Sequence, residues 1–442
     1  MKKELKSLKV LLWGREVGEL YWDSRSRRSS FSYSPSFMRD GWNISPLYAP
    51  VGTPDTVRVM WGITDPKIYH GLPPFIADSL PDDWGNLVLS LGENRDGISF
   101  RNPLERLSYI GMRGMGALEF KPVYHGSGHD GIVNLRELQQ LADRIFRERQ
   151  DIRFSSEDKD AREQLLRIGT PPGGRQAKAV FAMNEDGEIR SGQVPAGAGF
   201  RYYILKFQPE THPKSANIEQ TYYEMATAAG ICMMPSRLYR RYGEDMFLTE
   251  RFDRNQETGE KILTQTLAAI FPSAETQEDV MNVAGRLGLP YAEREEVFRR
   301  IVFNFMGCNT DDHVKNISFM MGRDGVWHLA PAYDITYTID PYTVNIDNGS
   351  HCMPLCGKWK DVTEEDLIAF AGKNDIKAPE RIINSVAEAL LTFRERAAAN
   401  RVSLGWIDRI EGNIAKNLPE RFASRIEKMG KENFWLDFSL KR

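Results

Sequence analysis

The segment 309–316 reads Asn-Thr-Asp-Asp-His-Val-Lys-Asn and contains an aspartate and an asparagine five positions apart, Asp311 and Asn316. Protein kinases use the spacing Asp-x-x-x-x-Asn for two tasks. The carboxylate meets the acceptor hydroxyl, and the amide oxygen reaches a magnesium ion on the phosphates. A short irregular loop can direct both side chains into one cleft. Because Asp and Asn also cap helices and fill turns, the spacing alone favours an ordinary turn, and the chemistry needs support elsewhere in the chain.

A second acidic side chain follows at a suitable place. Asp334 lies 18 residues after Asn316 and comes directly after a strand-like segment. Magnesium takes one or two protein carboxylates and completes its shell with phosphate oxygens and water. The pattern therefore predicts Asn316 and Asp334 as metal ligands, with a turn aspartate as the alternative for Asp334.

Upstream lies a loop that could bind phosphate. Gly173 and Gly174 stand between a predicted helix and a predicted strand, with Arg175 and Lys178 close behind. Glycine lets backbone N–H groups approach an anion, and the two cations add charge. Because the two preceding prolines lack an N–H, any phosphate cradle must begin at Gly173.

A lysine interrupts the apolar segment that follows. Lys206 lies in the strand-like run 202–207 and faces either a solvated sheet edge or a cleft. Kinases place a strand lysine on the α- and β-phosphates and pair it with a helix glutamate. Glu219 is the predicted partner, and Glu224 is the alternative. The order of Gly loop, strand Lys, helix Glu, third strand, Asp–Asn loop and final Asp is the order of a kinase from its N-lobe to its C-lobe.

Composition limits the class of protein. The 442 residues are 41% hydrophobic and 27% charged, which is typical of globular chains and excludes disordered, collagen-like and simple coiled-coil proteins. The net charge of −3 excludes binding of nucleic acid or membrane through bulk charge. With four cysteines, and with an apolar run at 10–13 that is shorter than the ~7–15 residues of a signal-peptide core, we expect a cytoplasmic protein without a membrane contact.

Hydrophobic periodicity predicts an α+β chain. The first 120 residues read mostly as strands and turns, and the part after 253 reads as mainly helical. We predict three parts, 1–125, 126–252 and 253–442, with a boundary in the Gly-rich segment 125–131. The main predicted strands are 10–20 (a hairpin), 30–33, 115–122, 179–183, 202–207, 246–252 and 317–321, and the main predicted helices are 84–91, 104–110, 135–146, 219–229, 292–306, 379–401 and 404–425.

Several motifs together resemble the HipA family of bacterial serine/threonine kinases, the toxins of HipBA-type toxin–antitoxin pairs. The similarity covers nearly the whole chain. The motifs that carry it are Trp13–Leu20, Phe31–Tyr33, Asp78–Asp82, Ile110–Ala117, Gly173–Lys178, Thr249–Arg254, Thr310–Asn316 and Tyr333–Asp334.

The resemblance implies a protein-kinase-like bilobal fold, with a β-rich N-terminal subdomain and N-lobe and an all-helical C-lobe. It implies ATP and Mg²⁺ as cofactors, Asp311 as the catalytic base, Lys206 on the phosphates, and Asn316 and Asp334 on the metal. The residues it places around the nucleotide are Gly173, Gly174, Arg175, Gln176, Ala177, Lys178, Glu250, Arg251, Phe252, His313, Lys315 and Tyr333.

The resemblance also implies partners. It points to a cellular protein substrate, with aminoacyl-tRNA synthetases among the family's targets, and to growth arrest. A HipB-like antitoxin with a helix-turn-helix would neutralise the kinase and bring it to DNA. One departure concerns regulation: Pro171 stands where the family commonly has an autophosphorylated serine, and Thr170 is the adjacent hydroxyl.

Two other functions compete with this interpretation. The pattern Asp311-x-His313-x-x-Asn316 is also similar to the catalytic loop of phosphatidylinositol kinases, which leaves a lipid or small-molecule kinase open. A pseudokinase that binds a partner without turnover is the second alternative, and the intact Asp311, Asn316 and Asp334 argue against it.

Overall fold

The computed structural model of the chain describes residues 4–52, 56–58, 65–81, 100–123, 176–208, 214–241, 243–338 and 349–425. The chain divides into two compact units. Unit 1 contains residues 1–210, 241–274 and 317–330, and unit 2 contains 211–240, 275–316 and 331–442. The predicted division into three parts stays a prediction. Within the described ranges, no helix is long and apolar enough to cross a membrane.

The first sheet of unit 1 is antiparallel and has the order β4-β3-β2-β1-β5. Its strands are β1 (Ser7–Leu12), β2 (Arg15–Asp23), β3 (Arg28–Tyr33), β4 (Thr56–Arg58) and β5 (Leu118–Lys121). The predicted hairpin is present, because Trp13 and Gly14 both have positive φ and form the tight turn that joins β1 to β2. Four short helices accompany this sheet in the described part: α1 (Pro35–Asp40), α2 (Pro66–Tyr69), α3 (Pro74–Ala77) and α4 (Pro103–Ile110).

The second sheet of unit 1 carries the predicted phosphate-binding strand. Its strands in unit 1 run in the order β7-β6-β8-β10, with β6 (Lys178–Met183), β7 (Ile189–Ser191), β8 (Arg201–Lys206) and β10 (Glu244–Glu250). Strand β9 (Ser236–Arg241) spans the boundary between the units along the chain. Because β8 pairs with a strand on each side, Lys206 does not lie at a sheet edge, and that alternative is wrong.

Three short strands lie within the part predicted to be helical. Strands β11 (Leu263–Thr266), β12 (Ser318–Met321) and β13 (Trp327–Leu329) form an antiparallel sheet of unit 1, and the short helix α6 (Leu267–Ile270) follows β11. Two tryptophan side chains connect them to the N-terminal sheet region: Trp13 donates to the carbonyl of Lys261, and Trp42 to that of Arg323, each at 2.7 Å.

The described part of unit 2 is mainly helical. Its helices are α5 (Ser215–Ala228), α7 (Gln277–Arg286), α8 (Tyr291–Gly307), α9 (Glu364–Lys373), α10 (Pro379–Leu391), α11 (Phe393–Ala399) and α12 (Leu404–Asn417). Helix α8 buries an apolar face that includes Phe298 and Phe303. Tyr222 of α5 packs edge-on against Phe303, and its hydroxyl donates to the carbonyl of Gly307 at 2.6 Å, at the end of α8. This packing fixes the point where the Asp–Asn loop begins.

Two predicted helices are shorter than expected. The predicted helix 379–401 is two helices, because Thr392 has φ −82° and ψ 1° and separates α10 from α11. The predicted helix 404–425 is interrupted after Asn417, since the extended Leu418 precedes Pro419 and a residue before proline avoids the helical region, and helical backbone resumes at 420–425. The predicted helices 84–91 and 135–146 and the linker 125–131 lie outside the described residues.

Candidate active site

The Asp–Asn loop begins where α8 ends. Cys308 adopts a left-handed conformation, with φ 59°, and its N–H donates to the carbonyl of Asn304. Thr338 stabilises the start of the loop. Its hydroxyl oxygen accepts hydrogen bonds from the backbone N–H groups of Thr310 and Asp311 at 3.1 and 3.0 Å. These contacts end the helix sharply and set the backbone that carries Asp311.

The Asn316 amide is oriented by the loop itself. Its Nδ2 donates to the backbone carbonyl of Asp311 at 2.7 Å, and its own N–H donates to the carbonyl of His313 at 2.8 Å. The amide oxygen takes part in neither of these two bonds. That oxygen is the atom a magnesium ion would require.

The Asp311 carboxylate is 55% exposed and lies among other ionisable groups. Removal from water by neighbouring protein atoms raises the pKa of Asp311. The negative charges of Asp334 and Asp312 raise this pKa further, whereas His313 lowers it. Both predicted carboxylates belong to unit 2, where the charge of Asp334 acts on Asp311. Asp334 itself has a left-handed backbone, with φ 54°.

His313 presents a defined ring nitrogen to Asp311. The backbone N–H of Lys315 donates to Nδ1 of His313 at 3.2 Å, which assigns the proton of the neutral ring to Nε2. Nε2 lies 3.6 Å from Oδ1 of Asp311. Tyr333 completes the group, because its hydroxyl donates to the carbonyl of Lys315 at 2.7 Å. Unit 2 therefore brings together Asp311, His313, Lys315, Asn316, Tyr333 and Asp334.

Unit 1 brings together the two predicted phosphate lysines. Lys178 of β6 and Lys206 of β8 are direct partners across the antiparallel pair, and both are buried, with 5% and 7% exposure. Cross-strand partners present their side chains on the same face of the sheet, and like charges placed there repel. Gln176 and Ala177 extend the pairing of β6 with β8, through Gln176 Nε2 to the carbonyl of Phe207 at 2.9 Å and the Phe207 N–H to the carbonyl of Ala177 at 3.0 Å.

The other residues predicted to contact the nucleotide either bind protein groups or lie outside the described residues. Glu250 accepts a hydrogen bond from Arg201 at 2.8 Å, and Arg251 is buried against Asp253. Contact of the segment 250–252 with adenine therefore stays a prediction. Gly173, Gly174, Arg175, Thr170 and Pro171 lie outside the described residues. Glu219 is buried on α5 in unit 2, so its pairing with Lys206 of unit 1 also stays a prediction.

The sequence analysis did not predict the residues that stabilise the Asp–Asn loop through Asp312. Asp312 is completely buried and accepts hydrogen bonds from Gln277 of α7 and from the backbone N–H of Cys352. The Cys352 Sγ lies 3.9 Å from Oδ1 of Asp311, and partial removal from water by neighbouring protein atoms, together with the charges of Asp311 and Asp312, raises the pKa of this exposed residue to about 12. The signal in the sequence is the pair of consecutive aspartates at 311–312. The residues that bind Asp312, Gln277 and Cys352, lie 35 and 40 positions away in the chain.

Comparison with known proteins identifies two domain families in the chain. The model of the HipA N-terminal domain matches residues 8–121, and the model of the HipA-like C-terminal domain matches residues 170–395. The structure of HipA from Shewanella oneidensis, solved with HipB and operator DNA, superimposes with a TM-score of 0.63 at 17% identity, over 95% of this chain and 98% of that chain. The α+β, protein-kinase-like fold is therefore confirmed.

Two curated relatives carry the provisional name of kinase. One is Y4dM from Sinorhizobium fredii, 25% identical over 42% of this chain and 46% of its own length. The other is from Haemophilus influenzae, 25% identical over 35% of this chain and 50% of its own length. The match spans about half the length of each relative.

Proposed function

This chain belongs to the HipA family, and on that basis we propose that it is an ATP- and magnesium-dependent serine/threonine protein kinase with Asp311 as its catalytic base. The observation that carries the proposal is the bond from the Asn316 amide nitrogen to the Asp311 carbonyl. It couples the residue that would accept a proton to the residue that would hold a metal, and it orients the amide oxygen as a ligand. Asp334 would supply the second ligand from the same unit.

The reaction would depend mainly on positioning and on neutralised charge. Asp311 orients the acceptor hydroxyl and accepts its proton. His313 presents the Nε2–H toward the same carboxylate and helps to fix its rotamer. Asn316 and Asp334 would hold magnesium, which neutralises charge on the phosphates of ATP when it is bound.

In unit 1, the two buried lysines carry positive charge. Lys178 and Lys206 lie on one face of the sheet, and Lys206 Nζ is 5.8 Å from the centre of the Phe247 ring. We assign Lys206 to the α- and β-phosphates and the segment 173–178 to covering the nucleotide. The residues 250–252 are assigned to the adenine side.

The proposed cellular role is based on the family. We propose that the kinase acts in the cytoplasm on a cellular protein, an aminoacyl-tRNA synthetase being the first class to examine, and that this arrests growth. The Shewanella relative was solved with HipB and operator DNA. We therefore propose a HipB-like antitoxin with a helix-turn-helix as the partner that neutralises this chain and brings it to DNA. A growth curve with the kinase expressed alone and with its candidate antitoxin tests this step: arrest that the antitoxin does not relieve would contradict it.

The test of the activity uses a lysate of the host. The purified protein is incubated with γ-labelled ATP, magnesium and lysate beside the Asp311→Ala protein, and labelled bands are identified by mass spectrometry. We expect a discrete protein labelled on Ser or Thr by the wild type only. Equal labelling by both proteins would refute the catalytic role of Asp311.

The same experiment separates the competing functions. The sequence pattern Asp311-x-His313-x-x-Asn316 resembles the catalytic loop of phosphatidylinositol kinases, so a lipid extract is included as a second acceptor. Label in lipid or in a small molecule, with none in protein, would assign the chain to that class. ATP binding without any transfer would indicate a pseudokinase.

A further inference from the structure

Asp312, the neighbour of the proposed base, is a buried carboxylate that accepts hydrogen bonds from several donors. Its side chain has no exposed surface. Its Oδ2 accepts from Nε2 of Gln277 at 2.8 Å and lies 3.0 Å from Nδ1 of His351. Its Oδ1 accepts the backbone N–H groups of Cys352 at 2.8 Å and of Met353 at 3.4 Å. A buried carboxylate is costly unless hydrogen bonds surround it, and here they come from two distant parts of unit 2.

These contacts fix the segment 351–353 against the proposed catalytic loop. The N–H of Cys352 also reaches the carbonyl of Thr310 at 3.0 Å, and its Sγ lies 3.9 Å from Oδ1 of Asp311. The ring of His351 stacks on Phe305 of α8 with centroids 3.8 Å apart. Thr310 and Asp312, the residues on either side of Asp311, thus both accept a hydrogen bond from the backbone N–H of Cys352.

We propose that Asp312 is a positioning residue for Asp311: by binding Gln277, His351 and the backbone of Cys352 and Met353, it holds the catalytic loop in the geometry that phosphoryl transfer needs. Asp312 does not touch the reacting atoms in this assignment. The inference rests on the proposed function, because it concerns the same reaction. Removing the carboxylate would leave buried donors without an acceptor, so the segment 351–353 would move and release the loop.

The first test compares Asp312→Ala with a matched control, Glu411→Ala. Glu411 is a mostly buried carboxylate of unit 2 on α12 that accepts from Nε of Arg394 at 2.8 Å. We expect Asp312→Ala to transfer phosphate about 100-fold more slowly at saturating ATP, because small displacements of reacting groups cost about that much. We expect the Kd for Mg-ATP to change by less than about threefold, which separates lost positioning from lost binding. Glu411→Ala should keep both values.

A conservative variant tests the hydrogen bonding itself. In Asp312→Asn, the amide oxygen can still accept the N–H of Cys352, and the amide nitrogen can donate to the buried Oε1 of Gln277, which has no hydrogen-bond partner among the residues that the structure describes. We expect Asp312→Asn to recover most of the transfer rate lost in Asp312→Ala. An Asn variant as slow as the Ala variant, or a Glu411→Ala protein equally slow, would overturn the proposal.

A second readout does not depend on kinase activity. The rate at which iodoacetamide alkylates Cys352, followed by peptide mass spectrometry, reports on the segment that Asp312 holds. We expect at least about a tenfold faster modification in Asp312→Ala, since the segment 351–353 is no longer held by the carboxylate and the thiol loses a nearby negative charge. If the wild type transfers no phosphate, the proposed function fails, and this rate still decides the positioning. An unchanged alkylation rate in a folded Asp312→Ala protein would overturn it.

Discussion

Replacing Asp253 is expected to destabilise unit 1 strongly. Asp253 has no exposed surface and accepts both Nε and Nη2 of Arg251 at 2.8 Å. It also accepts Nη1 of Arg254 at 2.8 Å and the backbone N–H of Gly116 at 2.9 Å. One carboxylate therefore serves two guanidinium groups that are themselves 1% and 2% exposed, and it ties the motif 249–254 to the motif 110–117.

The size of the effect follows from this burial. Asp253→Ala would leave two buried cations without their shared counter-charge, and removing one partner of a buried ion pair costs about 3–5 kcal/mol. For a domain of roughly 150–250 residues, each kcal/mol lowers the melting temperature by about 2–4 °C. We therefore expect the transition of unit 1 to fall by about 6–20 °C.

Differential scanning calorimetry is the assay, with Glu260→Ala as the control. Glu260 pairs with Arg323 on the surface, with side chains 47% and 54% exposed, and such pairs contribute about 0–1 kcal/mol. The control should shift the transition by less than about 4 °C. An Asp253→Ala protein that melts as the control does would refute the reasoning.

The difference in stability between the wild type and Asp253→Ala should change with pH in a definite direction. The two arginines lower the pKa of Asp253 in the folded protein, although burial acts in the opposite direction. A group with a lowered folded pKa stabilises fully above its unfolded pKa, which is about 3.9 for Asp. The wild type should therefore keep its advantage over Asp253→Ala between about pH 5 and 7 and lose it progressively as the pH falls below about 4. A gap that widens on acidification would contradict the assignment.

Other predictions concern the catalytic loop. Asn316→Leu keeps the approximate shape but removes the donor to the Asp311 carbonyl and the proposed ligand oxygen, so transfer should fall by at least about 100-fold in a labelled-ATP assay, and unchanged transfer would exclude Asn316 from the site. Asp334→Asn should weaken ATP binding at limiting magnesium, measured by calorimetry, and an unchanged affinity there would remove Asp334 from the metal site. Because the pKa of Cys352 is raised to about 12, its alkylation rate should still increase about tenfold per pH unit above pH 9, and a plateau near pH 9 would contradict this raised pKa.

The sequence predicted well where a local pattern determines the structure. The apolar run 202–207 forms β8, and the helix 292–306 is contained in α8, because periodicity of apolar residues decides both. The spacing of Asp311 and Asn316 could be recognised because both residues belong to one loop, in which the Asn316 amide donates to the backbone carbonyl of Asp311.

Contacts between distant residues could not be predicted in the same way. Whether Lys206 lies at an edge or in the middle of a sheet depends on β10, which follows 38 residues later and pairs with β8. The burial of Asp312 depends on Gln277 and His351, which no short-range pattern connects to it. The break at Thr392 likewise falls within a continuous amphipathic pattern, and the packing of the two resulting helices decides it.

The most direct test of the central claim is phosphate transfer by Asp311→Asn at saturating Mg-ATP, with the Kd for Mg-ATP measured on the same preparation. Asparagine has nearly the shape of aspartate but cannot take the proton of the acceptor hydroxyl. We predict a loss of transfer of about 10²–10⁴-fold with the Kd almost unchanged. Transfer at the wild-type rate by Asp311→Asn would contradict the assignment of Asp311 as the catalytic base.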